Sequence, residues 1–407
     1  MPRLSFVTPQ VNTEFTPPSA AHQPAQGDAG VSRAEGLYVH VPFCFHKCHY
    51  CDFYSIADRD QSSGDKQPRY VQALCDELRR WTQIGALRPR TLFVGGGTPT
   101  LLRVEMWQRL LGAFHGWGVL DDVEEFTVEA NPETLTAELA ATLAAGGVNR
   151  ISVGCQSFQP DLLRALERWH EPASVERAVR IARHAGIDNV NLDLIFAIPG
   201  QRLDRLRDDL DRAIALEPDH LSYYGLTYEP NTTLAVKLRL GRVSAVGEDL
   251  ELAMYRAILE GTQAAGFEQY ETSNFARPGR RCEHNLVYWR RGEYLGLGPS
   301  ASSHLAGRRW KNEPHLGRYV RGCPDPPIVD DESLTPQQQR DEALMLGLRL
   351  REGISLDTLP HLAPDDTPRS EAIERMLELG YLERTHTHLR LTRAGLPVAD
   401  GVIASIV

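Results

Sequence analysis

The stretch "LYVHVPFCFHKCHYC", residues 37–51, sets an apolar run directly against three cysteines, Cys44, Cys48 and Cys51. Leu37, Val39 and Val41 read as a buried β-strand that ends at Pro42, with the cysteines on the loop beyond it. No fourth thiol stands nearby: Cys75 falls mid-helix, and Cys155, Cys282 and Cys323 are distant singles. A structural zinc site closes with four protein ligands, commonly in two paired knuckles. Here the second pair is missing, and His46 and His49 are crowded into the same loop. A disulfide would leave one thiol over and belongs to oxidising compartments. An iron–sulfur cluster is the better reading, because thiolates hold such clusters at short loop spacings. Three thiolates on a four-iron cubane leave one iron open to a ligand.

Working outward from this strand, a rhythm appears. Short apolar runs recur at "LYVHV" (37–41), "TLFV" (91–94), "EFTVE" (125–129), "RISVG" (150–154), "VNLDLIF" (190–196) and "LSYYGL" (221–226). Helical patterns lie between most of them: Val71, Leu74, Leu78 and Trp81 share one face, as do Val175, Ala178, Ile181 and Ala182 before Gly186. Strands alternating with helices imply parallel pairing and right-handed crossovers. Six such units are too few for a closed eight-unit barrel, so the fold class expected is α/β with a partial (β/α)6 barrel over 37–230. The polar and glycine motifs all follow strands, as active sites do at the C-terminal face of such barrels.

Residues 1–36, rich in Pro, Ala, Gln and Gly, read as a disordered leader. Residues 231–322 form an α+β extension, 323–336 ("CPDPPIVDDESLTP") a linker, and 337–407 a small helical, winged-helix-like C-terminal domain. At 407 residues and 42% hydrophobic content, the chain can build two or three cores. A net charge of -10 argues against general nucleic-acid binding, and the C-terminal domain reads as a support or docking module. The most apolar run, "NVNLDLIFAIPG", is too short to cross a bilayer, and the N-terminus lacks a signal-type apolar region. The expected location is cytoplasmic.

The CxxxCxxC loop after the first strand of a partial barrel resembles the radical S-adenosylmethionine superfamily. In that family the open iron takes the amino and carboxylate groups of S-adenosylmethionine. The resemblance narrows to the oxygen-independent coproporphyrinogen III oxidase-like family through "YVHVPFCFHKCHYC", "GGGTPT", "VEANPE", "GCQSF", "LERWH" and "NLDLIFAIPG", over about residues 37–300. It implies a 4Fe-4S cluster on Cys44, Cys48 and Cys51. For the cofactor, it implies Tyr38 near the sulfonium and Tyr50 against the cluster and nucleoside. Gly96, Gly97 and Thr98 would receive the methionine part. Glu129, Gln156 and Asp193 would bind nucleoside or neighbouring polar atoms, and Arg168 a carboxylate.

Two departures separate the chain from the oxidases: Phe53 stands where they carry a fourth cysteine, and the leader looks disordered where theirs is ordered. Both departures resemble the HemW branch of heme chaperones. "HNLVYW" (284–289) fits the HNxxYW pattern that this branch associates with heme. The resemblance makes His284 an axial ligand, exposed enough to release heme, with Asn285, Tyr288 and Trp289 around it and Cys282 as a weaker candidate. The alternative for His284 is a satisfied structural histidine beside an aromatic pair. The partners implied are heme, an acceptor heme protein at the inner membrane, and an electron donor for the cluster. The competing function is oxidative decarboxylation of coproporphyrinogen III.

Overall fold

The computed structural model describes residues 32–57, 66–364 and 367–407. Six strands carry the barrel: β1 (Ala34–Val41), β2 (Leu87–Gly96), β3 (Glu125–Ala130), β4 (Arg150–Gln156), β5 (Asn189–Phe196) and β6 (His220–Gly225). They lie in sequence order and every neighbouring pair is parallel. The crossovers are α1 (Lys66–Gln83), α2 (Val104–Gly116), α3 (Ala137–Ala145), α4 (Pro172–His184) and α5 (Leu203–Ala215).

Alternation along the strands separates two environments. Leu37, Val39 and Val41 on β1 are fully buried against the helices, where they meet an apolar face that includes Val71, Leu74 and Leu78. Each fully buried aliphatic side chain contributes about 1.5–3 kcal/mol, so this outer layer holds the barrel together. The alternate residues face inward and are largely polar. They include Tyr38 and His40, Thr91 and Phe93, Glu125 and Glu129, Arg150 and Ser152, and Asn191 and Asp193. A polar interior is tolerable only when hydrogen-bonded, and the bonds are there: Ser152 Oγ donates to Asp193 (2.7 Å), and Asn191 Nδ2 reaches both (2.7 and 2.9 Å).

Beyond the six expected strands the sheet continues. β7 (Asn274–Ala276) pairs antiparallel with β6. β8 (Tyr294–Leu297) adds a further parallel strand beside β1, followed by antiparallel β9 (Ser302–Leu305), β10 (Arg308–Asn312) and β11 (Ile328–Ser333). Among the described residues the strand order is linear, from β11 at one edge to Glu268–Gln269 at the other, so the barrel is open. The resemblance to an open radical-type barrel with an extension and a C-terminal domain is therefore met.

Two boundaries are corrected. Residues 34–36, placed in the leader, open β1, while 1–31 lie outside the described residues. Residues 328–333, placed in a linker, form β11. Prolines 324, 326 and 327 and the run Asp330–Asp331–Glu332 hid the strand. At a sheet edge, flanking prolines and outward acids are what a strand carries, and Asp331 pairs with Arg308 at 2.7 Å.

The C-terminal segment has helices Pro336–Gly347, Leu359–Leu362 and Pro368–Glu378 around a sheet of Ile354–Ser355, His388–Leu391 and Leu382–Arg384. A last helix, Ala399–Ile406, buries Val402, Ile403 and Ile406 and was not foreseen. A bridge between Glu271 and Leu350, and a bond from Arg351 N–H to the Tyr270 carbonyl (2.9 Å), tie this segment to the sheet.

Candidate cofactor site

The cysteine loop leaves β1 at its C-terminal end and is folded back by a short pairing of Phe43–Cys44 with Ile56–Ala57. A turn closes between the Cys51 N–H and the Cys48 carbonyl (3.3 Å). All three thiols are half-buried and free. Cys44 Sγ lies 3.5 Å from the Thr98 hydroxyl, and Cys48 Sγ lies 3.8 Å from both Arg168 Nη1 and His46 Nε2. Burial pushes the Cys44 thiol up and the Cys51 thiol up to about 11. For Cys48 burial also pushes upward, but the bond from His46 and the Arg168 guanidinium outweigh it and the net shift is downward. Among the described residues no three His, Cys, Asp or Glu side chains converge on a single ion. Three thiols on one short loop are the donor set that an iron–sulfur cluster takes.

The glycine run after β2 lies against this loop. Gly97 N–H donates to the Val41 carbonyl and Thr98 N–H to the Phe43 carbonyl, each at 2.7 Å. A Cβ on Gly97 would stand 2.6 Å from the Phe43 carbonyl oxygen, and Gly96 has φ +108 with the His40 ring 2.6 Å from its missing Cβ. Only glycine permits both that angle and that approach. Glu129 accepts a bond from Gly96 N–H (3.1 Å). Burial, reinforced by the nearby Asp193 charge, pushes Glu129 up to about 8.

Gln156 sits at a bulge between β4 and β5 with φ +58, which re-aims its side chain at the strand end. Arg168 donates from Nη2 to the Gly154 carbonyl (2.9 Å). Tyr50 packs on Leu162, Leu166, Ile195 and Ile198, giving the mouth an apolar side. Among the described residues, the buried polar atoms here without a hydrogen-bond partner include Gln156 Oε1, Arg168 Nε, the Tyr228 hydroxyl, His46 Nδ1 and Ser55 Oγ. Buried unpaired groups are costly, so unmet donors and acceptors beside a glycine cradle fit a polar ligand. The residues assigned from the sequence to cluster and cofactor thus meet at one end of the barrel.

The "HNLVYW" residues do not join them. They form α6 (Glu283–Trp289), whose first turn is capped by Glu125 at the start of β3, at the opposite, N-terminal end of the strands. The expectation of an exposed axial histidine is corrected: His284 is 1% exposed, and both ring nitrogens are occupied. Nδ1 bonds the Thr91 hydroxyl and Nε2 the Tyr288 hydroxyl, each at 2.8 Å. Burial lowers His284 to about 3. Cys282 is buried against Glu125 at 3.5 Å, Asn285 is half-buried, and Trp289 packs beside Tyr270, Leu286 and Leu350. The segment reads as irregular from sequence alone, and nothing local shows that residues 283–289 form a helix filling the barrel floor.

His40 and Phe93, which contact Tyr38, and Ser152 and Asn191, which bond Asp193, are neighbours of the assigned residues that sequence reasoning missed. Their signal was polarity at every second position of runs such as "VNLDLIF", which a one-sided strand facing solvent would also show.

An open parallel barrel with a three-cysteine loop and a glycine cradle at its mouth defines a radical S-adenosylmethionine protein, and residues 38–213 match the Radical SAM superfamily model. Residues 334–398 match the HemN C-terminal domain. The chain is 36% identical to the heme chaperone HemW of Lactococcus lactis over 91% of its own length and 97% of that protein's. It is also 36% identical to the heme chaperone HemW of Mycobacterium tuberculosis H37Rv, over 91% and 94%. The chain belongs to the HemW family. Its fold is shared with the Escherichia coli coproporphyrinogen III oxidase HemN, with a TM-score of 0.77 at 21% identity, covering 92% of this chain and 90% of that one.

Proposed function

We propose that the protein holds heme and hands it to an acceptor heme protein, with a 4Fe-4S cluster and S-adenosylmethionine as resident cofactors. The observation that carries this reading is the 36% identity that runs through 97% of a heme chaperone's length. Cys44, Cys48 and Cys51 would hold the cluster, and Gly96, Gly97, Thr98, Glu129, Gln156, Arg168 and Asp193 the S-adenosylmethionine, with Tyr38 and Tyr50 on its apolar side. When bound, the cluster supplies one electron to the sulfonium. The chain's own part is to orient the cofactor. The glycine cradle brings backbone close, Arg168 offers a fixed fork of donors to a carboxylate, and Asp193, held by Ser152 and Asn191, presents a fixed acceptor.

Heme ligation by His284, with Asn285, Tyr288 and Trp289 around it, belongs to an opened state of α6. Reaching it means breaking the Thr91 and Tyr288 bonds and the Glu125 cap, at about 1–3 kcal/mol for each buried group left unpaired. Among the described residues no helix is long and apolar enough to cross a membrane. In this reading any contact with the inner membrane goes through the acceptor, the protein works in the cytoplasm, and a separate donor reduces the cluster.

The second reading, oxidation of coproporphyrinogen III, is favoured by the shared barrel. Against it stands Phe53 in the position of the oxidases' fourth cysteine, with its ring 67% exposed beside the loop. The two readings separate in an anaerobic incubation with S-adenosylmethionine, a strong reductant and coproporphyrinogen III. The expected result is no protoporphyrinogen, whether or not 5′-deoxyadenosine forms. Stoichiometric protoporphyrinogen would overturn the chaperone reading.

A further inference from the structure

We infer that His284 is a positioning residue for the S-adenosylmethionine site: its ring anchors a stack of side chains that holds the cysteine loop and the glycine run in register. The inference rests on the assignment of cluster and cofactor made above. It concerns the closed state, in which His284 is buried.

The stack is continuous from the barrel floor to the mouth. The His284 ring lies on Phe93 at 5.2 Å between centroids, with 23° between planes. Phe93 lies on Tyr38 at 6.3 Å and 28°. The Tyr38 hydroxyl bonds His40 Nδ1 at 3.1 Å, and His40 Nε2 donates to the Tyr54 carbonyl at 2.8 Å. Tyr54 lies three residues beyond Cys51, so this last bond reaches the cysteine loop itself. The His40 ring also occupies the space that a Cβ on Gly96 would need, at 2.6 Å. A shift of His40 therefore moves into the segment assigned to the methionine part of the cofactor.

The two hydroxyls bonded to His284 fix the plane of its ring, and with it the planes stacked above. Interiors are packed densely enough to pass such a shift along. A histidine buried only to fill space would carry a desolvation cost that a leucine avoids. Here the cost is met by two bonds whose effect is to orient the base of the stack.

The experiment uses anaerobically cluster-loaded, heme-free protein and compares wild type with His284→Ala, His284→Phe and Phe93→Leu. Three quantities are read: bound iron, the Kd for S-adenosylmethionine by equilibrium dialysis, and the change in the reduced cluster's EPR signal on cofactor addition. His284→Ala and Phe93→Leu are expected to keep their iron, weaken cofactor binding by about tenfold, and lose the EPR change. His284→Phe keeps a ring in the stack but loses both orienting bonds, and is expected to weaken binding by about threefold, between wild type and His284→Ala. Unchanged binding and an unchanged EPR response in Phe93→Leu or His284→Ala would overturn the inference. So would an equal loss in His284→Phe and His284→Ala, because the stacked ring would then carry nothing. Phe93→Leu keeps the test open if His284→Ala does not fold. Iron-loaded wild type that shows no cofactor binding would overturn the site assignment, and this inference with it.

Discussion

Cys44→Ser is expected to strip the anaerobically reconstituted protein of its brown colour and of nearly all its bound iron. The three thiols sit on one loop, and the remaining cysteines, Cys75, Cys155, Cys282 and Cys323, lie elsewhere in the chain. A serine oxygen is a harder ligand than thiolate and does not substitute well on an iron–sulfur cluster. Cys75→Ser is the control. Cys75 is 6% exposed on α1, inside the apolar layer, and the variant should keep its iron. Iron measured per chain decides the matter, and full iron in Cys44→Ser would remove the cluster from this loop.

The second large effect is on stability. Glu125→Ala is expected to destabilise the fold by about 2–4 kcal/mol, because buried N–H donors left unpaired cost about 1–3 kcal/mol each. Glu125 is 6% exposed, and its carboxylate accepts the Glu283 and His284 N–H groups at 2.9 and 3.0 Å. It also lies near Arg150, which is 2% exposed; burial lowers that guanidinium's pKa, but surrounding acidic groups, Glu125 and Asp193 among them, outweigh burial and raise it. Without Glu125 the buried guanidinium loses one of its neighbouring carboxylates, and α6 loses its cap. Urea unfolding measures the loss, and the double variant Glu125→Ala, Arg150→Met should lose less than the sum of the two single changes, because the two groups are coupled. A loss under about 1 kcal/mol would show that the floor does not depend on this pair.

Much of this architecture was legible in the sequence because it depends on local pattern. The alternation in "LYVHV" and the helix spacing of Val71, Leu74 and Leu78 follow from chain geometry alone. The cysteine loop, the glycine run and the Pro-Gly turn with Asp193 just upstream could be placed together once each motif was seen to follow a strand, because parallel strands point all such loops to one end. What was not legible depends on partners distant in the chain. Nothing within "HNLVYW" says that Thr91, almost two hundred residues earlier, takes one nitrogen of His284. Nothing in "IVDDES" says that Arg308 waits across an edge pairing for Asp331. Gln156 was chosen as a cofactor contact, but its left-handed backbone at a bulge comes from register between strands and leaves no mark in composition.

The central claim is that heme is held and passed on. The most direct measurement loads the cluster-containing protein with one equivalent of heme and mixes it with the apo form of a b-type cytochrome in the presence of a heme scavenger. Saturable binding at one heme per chain, followed by appearance of the holo-cytochrome spectrum at a rate the scavenger does not slow, is the result expected. Heme that fails to bind saturably, or that reaches only the scavenger, would contradict the account.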